Sequence, residues 1–419
     1  MPSPSNYRDM NTLGLFQGYG IEIEYMIVDR ETLAVAPLTD RLLEAVAGHP
    51  VNEIERTETA WSNELALHVV ELKTNGPAPQ LSGLAALFQR DISAINTLLE
   101  PFAARLMPAA MHPWMNPGRE TRLWPYEQDE IYQAFDRIFD CRGHGWSNLQ
   151  SMHINLPFAN DGEFARLHAA IRLLLPLLPA LAASSPIADG RVQASLDYRL
   201  AVYAGNAARI PSVTGQVIPE PVFSRHDYEH YLLGNIYRDL APFDPAGILQ
   251  HEWVNARGAI ARFDRNAIEI RVLDTQECPR ADLAVAAAVV TVAEALVNEA
   301  WSDLARQQTW EVSRLHAIYA DAVVSGEQAV INDPAYAALF GFPERGRCRL
   351  AEIWQYLIET LLPTAAEPGW DEVWETIIDE GPLARRILKA TGDTPTADEL
   401  QRTYTSLCQC LARDQLFHG

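Results

Sequence analysis

The stretch Gly20–Val28 is apolar apart from two glutamates that are one residue apart. Its other residues are mostly β-branched, aromatic or apolar, which predicts a strand over Ile21–Val28. Because successive side chains of a strand point to opposite faces, Glu22 and Glu24 would share one face of a sheet. Carboxylates about 6–7 Å apart repel each other. A divalent cation bound through oxygen ligands would offset that repulsion.

The composition limits the classes of protein to which the chain can belong. Its 419 residues are 48% hydrophobic and 21% charged, which is typical of a globular protein. The formal net charge of −22 is a poor match for nucleic acid and for anionic membranes, so we expect neither as a partner. Five scattered cysteines without a C-x-x-C pair argue against a disulfide framework and favour a reducing, cytoplasmic location.

Targeting segments are not expected. Residues 1–20 lack the long apolar core of a signal peptide. The longest apolar runs, Leu173–Ala183 and Leu283–Ala293, are too short to span a bilayer, and we expect both to be buried helix segments.

Strand-like segments cluster in the first two thirds of the chain, and helical periodicity dominates from Pro279 onward. That order predicts an α+β fold with a mainly antiparallel sheet. We expect a core over residues 1–305 and a helical C-terminal region over 306–419 that packs on it as part of one structural unit. The predicted strands are Ile21–Val28, Asn63–Thr74, Leu106–Met111, Leu149–Leu156, Ala259–Phe263 and Ala267–Leu273, and the early predicted helices are Asp40–Ala47, Leu81–Leu106, Glu127–Phe139 and one from Asp161 toward Leu178.

The segment Asn63–Thr74 offers two further carboxylates, Glu64 and Glu71. Their spacing of seven places them on opposite faces of a regular strand, unless a bulge intervenes. A helix would instead place positions 64, 68 and 71 on one face. The two valines at 69 and 70 and the Asn-Gly-Pro stop that follows favour the strand.

Two later predicted strands also carry polar residues that are two positions apart. His153 and Asn155 share a face by the period of two, and so do Glu269 and Arg271. A carboxylate beside an arginine can place a metal and a phosphate oxygen at neighbouring points, and Arg262 adds positive charge nearby. Each of these groups alone also has a structural explanation, as a structural histidine, a solvated acidic face or an ion pair. Together they repeat one pattern inside apolar strands, which indicates a shared site.

The ordered set of motifs resembles the glutamate–cysteine ligases and related carboxylate–amine ligases, which share the glutamine synthetase catalytic fold. The resemblance covers roughly residues 18–300. The stretch from Ala183 to Pro186 and the pair Tyr198-Arg199 are similar to the substrate-side loop of that family. The motifs are G-x-E-x-E at Gly20–Glu24, E-L-x5-E-L-x-T at Glu64–Thr74, H-x-N at His153–Asn155 and I-E-I-R-V-x-D at Ile268–Asp274.

The resemblance implies a glutamine synthetase-like core over residues 1–305. In such a core a curved antiparallel sheet carries the active site on its concave face and helices on the other. It also implies two or three Mg²⁺ sites, for which Mn²⁺ could substitute. One site would use Glu24, Glu71 and Glu64 beside the amino-acid substrate, and another would use Glu22, His153 and Glu269 beside the ATP phosphates.

The resemblance also implies a reaction. ATP would phosphorylate the γ-carboxylate of glutamate, and the amine of cysteine or of another acceptor would attack the acyl phosphate. Asn155 and Arg271 would contact phosphate oxygens, with Arg271 and Arg262 as catalytic residues, and Arg199 would bind the glutamate carboxylate. The helical C-terminal region could pack against a second copy, so a homo-oligomer is one expectation.

Other functions are compatible with shorter motifs. His226, Glu229 and His230 fit the H-x-x-E-H pattern of zinc hydrolases, although an exposed polar helix start after Ser224 explains them equally simply. Gly341–Cys348 has P-loop spacing, but Arg and Cys replace the required Lys and Ser/Thr, which predicts an ordinary loop. A relative that binds metal or nucleotide without catalysis is the remaining alternative.

Overall fold

The computed structural model describes residues 12–343, 346–362 and 367–419. Its strands are β1 Gly20–Asp29, β2 Glu53–Glu55, β3 Thr59–Asn63, β4 Val69–Thr74, β5 Ala104–Met107, β6 Ser151–Pro157, β7 Ile187–Ala188, β8 Arg191–Val192, β9 Ala259–Arg262, β10 Ala267–Asp274, β11 Val330–Ile331 and β12 Cys348–Arg349.

The α-helices are α1 Thr39–Ala47, α2 Leu84–Leu99, α3 Pro117–Glu120, α4 Asp129–Phe139, α5 His144–Ser147, α6 Asp161–Leu174, α7 Leu178–Ala182, α8 Tyr198–Tyr203, α9 Arg225–Asp227, α10 Gly234–Leu240, α11 Pro279–Val297, α12 Leu304–Gln308, α13 Val312–Ser325, α14 Pro334–Ala337, α15 Leu350–Leu361, α16 Trp370–Glu380, α17 Leu383–Thr391 and α18 Ala397–Arg413. A π-helix spans Tyr228–Leu233, and 3₁₀ helices span Glu100–Phe102, Leu175–Leu177, Glu252–Val254, Gly326–Gln328 and Ala338–Phe340.

Eight strands form one sheet in the order β2-β3-β4-β1-β6-β10-β9, with β5 also paired to β1. The pairs are antiparallel. β1 is central, because it pairs with β4 along one edge and with β6 and then β5 along the other. This architecture confirms the predicted α+β fold with a mainly antiparallel sheet.

The alternation along β1 sorts its side chains onto two faces of the sheet. Ile21, Ile23 and Tyr25 are 0% exposed and belong to the main core together with apolar residues of α2, α6 and α11. Helix α11 packs on α2 and on α6, and α6 packs on β10. These helices occupy one face of the sheet, so the glutamates of β1 lie on the other.

The C-terminal helices pack on the rest of the molecule. Helix α13 packs on α7, α16 packs on α11, and α18 packs on β5. A buried ion pair between Arg386 of α17 and Glu277, which follows β10, adds a polar link. The division of the chain at residue 305 stays a prediction.

The predicted strand Asn63–Thr74 is wrong as a single element. β3 ends at Asn63, and β4 begins at Val69, with Asn63 paired to Val70 across the resulting hairpin. The loop between them is held by a hydrogen bond from Leu67 N–H to the carbonyl of Arg122. Tertiary pairing therefore overrode the β propensity of the segment.

The helix predicted over Leu81–Leu106 is shorter than expected. α2 begins at Leu84, and the chain passes through a 3₁₀ turn with Pro101 after Leu99. Proline has no backbone N–H to donate to a continuing helix, and Ala103 then takes a left-handed φ of 51° that turns the chain into β5.

The apolar run around Leu173–Ala183 is part of a longer helical segment than the sequence predicts. Asp161–Ala182 is 22 residues long and, by length and composition alone, could cross a membrane. However, 89% of its most apolar window is buried inside the protein. That burial is typical of a core helix.

Candidate active site

The polar face of the sheet brings carboxylates of β4, β1 and β10 together with His153 of β6. Glu24 of β1 lies directly opposite Glu71 of β4, and Glu22 lies opposite His153 of β6. Glu269 of β10 lies opposite Asn155, the next residue of β6 on that face. Cross-strand partners have Cβ atoms about 5 Å apart, so the register alone assembles the cluster.

Two groups of side chains in the described residues have ligand atoms close enough to hold a metal ion. Glu22, His153 and Glu269 form one group, and Glu24, Glu71 and His153 form the other. Within each group the ligand atoms lie within 4.8 Å of one another. The structure therefore brings together five of the six side chains predicted as metal ligands, and it places His153 in both groups.

Hydrogen bonds orient the central members of this cluster. Ser151 donates its backbone N–H to Glu24 Oε2 at 2.8 Å, and its hydroxyl oxygen lies 2.9 Å from His153 Nε2. The other ring nitrogen of His153, Nδ1, lies 3.1 Å from Glu22 Oε2. Sequence reasoning missed Ser151, although its position two residues before His153 places it on the same strand face.

Glu71 has its own supporting contacts. Ser62 of β3 donates its hydroxyl to Glu71 Oε1 at 2.8 Å. Lys73 Nζ lies 3.4 Å from the same oxygen and 2.7 Å from Glu53. Since Lys73 follows Glu71 by two residues, the strand period could also have identified it.

Glu64 lies near the carboxylate cluster, but in a loop rather than on the predicted strand. It lies just after β3 in the hairpin loop, and it lines the cavity above the sheet. Burial and the charges of Glu71 and Glu24 raise its pKa well above the usual range. Among the described residues it belongs to neither three-residue ligand group, so its role as a ligand stays a prediction.

The electrostatics indicate an excess of negative charge at one end of the cluster. Burial, and then the charge of Glu22, raises the pKa of Glu71 to about 7. Burial opposes the ionisation of Glu22 as well, but the hydrogen bond and positive charge of His153 lower its pKa to about 2. A bound divalent cation would favour the ionised form of each carboxylate. The donor set of carboxylates and one imidazole fits such a cation.

Arginines border the cluster on the β9–β10 side. Arg271 Nε lies 3.0 Å from Glu269 Oε1, and Arg262 donates to Glu269 Oε2 at 3.3 Å. Asn155 donates its amide N–H to Glu22 Oε1 at 3.1 Å, and its own buried Oδ1 has no hydrogen-bond partner among the described residues. These groups could contact a polyanion next to the carboxylates.

Arg199 of α8 is buried beneath the same site. Its Nε pairs with Asp274 at the end of β10, and its Nη1 lies 3.4 Å from the carbonyl of Arg271. Its Nη2 is buried and has no hydrogen-bond partner among the described residues. Arg199 also contributes to the cavity lining, and a guanidinium is a typical partner of a carboxylate.

A cavity of about 570 Å³ lies over the polar face of the sheet. Part of its lining is aromatic, and no sequence motif pointed to these residues. The hydroxyl of Tyr203 is buried without a hydrogen-bond partner among the described residues. The aromatic lining residues are Tyr132, Phe135, Trp146, Tyr203 and Trp253.

The two competing motifs do not form sites in the described residues. His226 and His230 stack at 5.8 Å between ring centroids in an exposed segment, and Glu229 pairs with Arg225 instead. None of them belongs to a described metal-ligand group. In the P-loop-like segment, Gly341 follows a 3₁₀ helix rather than a strand, and residues 344 and 345 lie outside the described residues.

Comparison with known proteins gives one family. The model of glutamate-cysteine ligase family 2 matches residues 19–405. An uncharacterized protein of Archaeoglobus fulgidus is 36% identical over 280 residues, which cover 67% of this chain and 75% of that protein. A Corynebacterium glutamicum (strain R) protein that carries the name "Putative glutamate--cysteine ligase 2" is 23% identical over 407 residues, or 91% of this chain and 93% of that protein.

Among solved structures, a chain in the complex between the prokaryotic ubiquitin-like protein Pup and its ligase PafA is similar with a TM-score of 0.46 and 10% identity. That match covers 90% of this chain and 68% of the other. The family match, by contrast, includes every carboxylate of the cluster, His153 and most of the C-terminal helices. The chain therefore belongs to glutamate-cysteine ligase family 2.

Proposed function

We propose that this protein is an ATP-dependent carboxylate–amine ligase that joins the γ-carboxylate of glutamate to the amine of cysteine or of another acceptor. The observation that carries the proposal is the cluster of glutamates around His153, bordered by arginines, in a member of this ligase family. Nucleotide phosphates need cations and positive side chains around them, and this face of the sheet supplies positions for both.

The cluster would hold two or three Mg²⁺ ions, with Mn²⁺ as a substitute. Glu24, Glu71 and Glu64 would bind one ion, while Glu22, His153 and Glu269 would bind another. When bound, such ions neutralise phosphate charge and polarise the phosphoryl group. Ser151 and Ser62 then keep the carboxylates and the imidazole in position through the hydrogen bonds described above.

The proposed reaction has two steps. A γ-carboxylate oxygen of glutamate bonds to the γ-phosphorus of ATP, and ADP leaves, which gives γ-glutamyl phosphate. The unprotonated amine nitrogen then bonds to the acyl carbon, the bond from that carbon to the phosphate oxygen breaks, and the nitrogen loses a proton. Asn155 and Arg271 would contact the phosphate oxygens, and Arg271 and Arg262 would stabilise their charge.

Arg199 would bind a carboxylate of the glutamate donor. Its position in the cavity lining and its free, buried Nη2 support this role. Asp274 binds Nε of the same guanidinium, so the orientation of Arg199 is fixed before the substrate arrives.

The direct test is ADP and phosphate release in the presence of ATP, Mg²⁺, glutamate and a panel of amines. We expect Glu24→Gln to lower the rate by about 100-fold or more, because a neutral amide is a weak Mg²⁺ ligand. Glu58→Gln, which changes an exposed carboxylate paired with Arg90, is the matched control.

Two outcomes contradict the proposal at different points. The absence of ADP release with every amine would support a non-catalytic relative instead of a ligase. Full activity of the Glu24→Gln variant would leave the ligase reaction standing but overturn the metal assignment.

We also propose that the protein acts in the cytoplasm on small molecules rather than on nucleic acid or membranes, and a homo-oligomer stays a prediction.

A further inference from the structure

Three of the five aromatic residues in the described cavity lining come from α4 and α5, whereas Tyr203 belongs to α8 and Trp253 to the 3₁₀ helix before β9. Leu65 belongs to the hairpin loop that carries Glu64, whereas Tyr132 and Phe135 belong to α4, and Trp146 belongs to α5. The ring of Phe135 lies 5.2 Å from that of Trp146. We call Tyr132, Phe135 and Trp146 the aromatic wall.

The aromatic wall lies beside the Glu64 end of the carboxylate cluster. Tyr132 accepts a hydrogen bond from Asn63 at 3.1 Å, directly before Glu64 in the chain. The lining residues proposed on the phosphate side, His153, Arg262 and Arg271, come from β6, β9 and β10 instead. The wall is therefore on the amino-acid side of the site as the proposed function divides it.

Positive charge is distributed unequally around the cavity. Among the described lining residues, the segments 64–69 and 128–149 contribute no lysine, arginine or histidine. The arginines of the lining come from α8 and the β9–β10 region, where Arg199 pairs with Asp274 and Arg271 pairs with Glu269. A second substrate carboxylate placed against the wall would lie among apolar rings, with no cationic side chain of these lining segments to pair with it, which is costly.

We propose that the acceptor is a primary amine with an aromatic or branched apolar substituent and no carboxylate, and that the aromatic wall binds this substituent. Apolar burial against the wall would stabilise the bound substituent, and an aromatic substituent would also make edge-to-face contacts with the rings of the wall. Because Glu64 borders the wall, an amine whose substituent packs there can direct its nitrogen toward the carboxylate cluster. The inference rests on the proposed ligase function and names the acceptor class for the same site.

The test compares acceptors with the full-length enzyme, ATP, Mg²⁺ and glutamate. Phenethylamine carries the proposed group, ethylamine lacks the ring, phenylalanine adds a carboxylate, and cysteine is the acceptor in the family name. We expect kcat/KM for phenethylamine to exceed that for each of the other three by about 10-fold or more, as is usual for an apolar pocket. A preference for cysteine or phenylalanine would overturn the inference.

Hydroxylamine separates this inference from the proposed function. It is a small nucleophile that traps γ-glutamyl phosphate as a hydroxamate without needing the wall. If no hydroxamate forms, the ligase function fails and the inference fails with it. If hydroxamate forms but phenethylamine has no advantage over ethylamine, the inference alone is wrong.

Trp146→Ala tests the wall itself. We expect the ratio of kcat/KM for phenethylamine to that for hydroxylamine to fall by about 10-fold. Trp146→Phe should restore part of that ratio, and it gives a second variant if Trp146→Ala does not fold. The matched control is Trp114→Ala, which removes a half-buried tryptophan that packs on His112 and Tyr404 outside the cavity. A rise in the KM for ATP with an unchanged ratio would place adenine on the wall and overturn the inference.

Discussion

At the scale of single residues, His153 is the point where the two ligand groups meet. Its two ring nitrogens contact different partners, Glu22 on one side and Ser151 on the other. Burial alone would lower the pKa of this imidazole, but the hydrogen bond to Glu22 and the charge of Glu269 raise it. The ring is thus held in place by the same carboxylates with which it would share a metal.

Ser151 should act as a positioning residue for this arrangement. Ser151→Ala removes the hydroxyl beside His153 but keeps the backbone N–H that binds Glu24. We expect the Mg²⁺ concentration for half-maximal hydroxamate formation to rise about 10-fold, because the imidazole loses its orienting partner.

A merely structural role would change the unfolding midpoint rather than the Mg²⁺ dependence. Ser93→Ala is the control, since the hydroxyl of this exposed serine of α2 bonds only to the carbonyl of Gln89 among the described contacts. An unchanged Mg²⁺ dependence for Ser151→Ala would argue against the role of the hydroxyl.

At the scale of elements, the site depends on the close pairing of β1 with β6. Glu22 and His153 were predicted to lie on strands, and the predicted bounds differ from the structure by only a few residues. The period of two placed the polar side chains of these two strands on the correct face, because that period follows from local backbone geometry. The hairpin at residues 64–68 was not predictable in this way, since pairing between β3 and β4 decides it.

Gly20 allows the close approach of these two strands. A Cβ at this position would lie 2.9 Å from the Cβ of Asn155, which is closer than real Cβ contacts. We expect Gly20→Ala to lower the free energy of unfolding by about 1–3 kcal/mol through overpacking. Because Asn155 bonds to Glu22, activity should fall as well.

Thermal or urea unfolding, together with hydroxamate formation, measures both effects. Gly118→Ala is the control, because the added Cβ would meet only the side chain of Asn116 at an ordinary 3.5 Å. Wild-type stability and activity in the Gly20→Ala variant would show that β1 and β6 can separate without consequence.

At the scale of the whole molecule, the C-terminal helices are joined to the core by a buried polar link. Arg386 is 1% exposed and Glu277 is 0% exposed, and they form an ion pair. Arg386 also donates to the carbonyl of Phe417 at 2.6 Å, and Glu277 accepts the backbone N–H of Phe417 at 3.3 Å. The end of the chain is therefore fixed beside the segment that follows β10.

We expect Arg386→Met to lower the free energy of unfolding by about 3–5 kcal/mol, because it leaves Glu277 charged, buried and without its ion-pair partner. Urea denaturation measures the loss. The double variant Glu277→Gln with Arg386→Met should recover part of it, since no buried charge is then left unpaired. A loss below about 1 kcal/mol would mean that water reaches the pair when one partner is removed.

The sequence by itself determined that β1, β6 and β10 are strands, which face their polar residues occupy and which chemistry the ordered motifs resemble. These properties are local, because backbone geometry and side-chain type set them over a few residues. The tertiary structure decided the rest. Strand register placed Glu24 beside Glu71 and Glu22 beside His153. The hairpin loop between β3 and β4 placed Glu64 in the cavity lining, and the packing of α4 and α5 formed the aromatic wall. Each of these depends on contacts between residues distant in the chain, which local propensity does not encode.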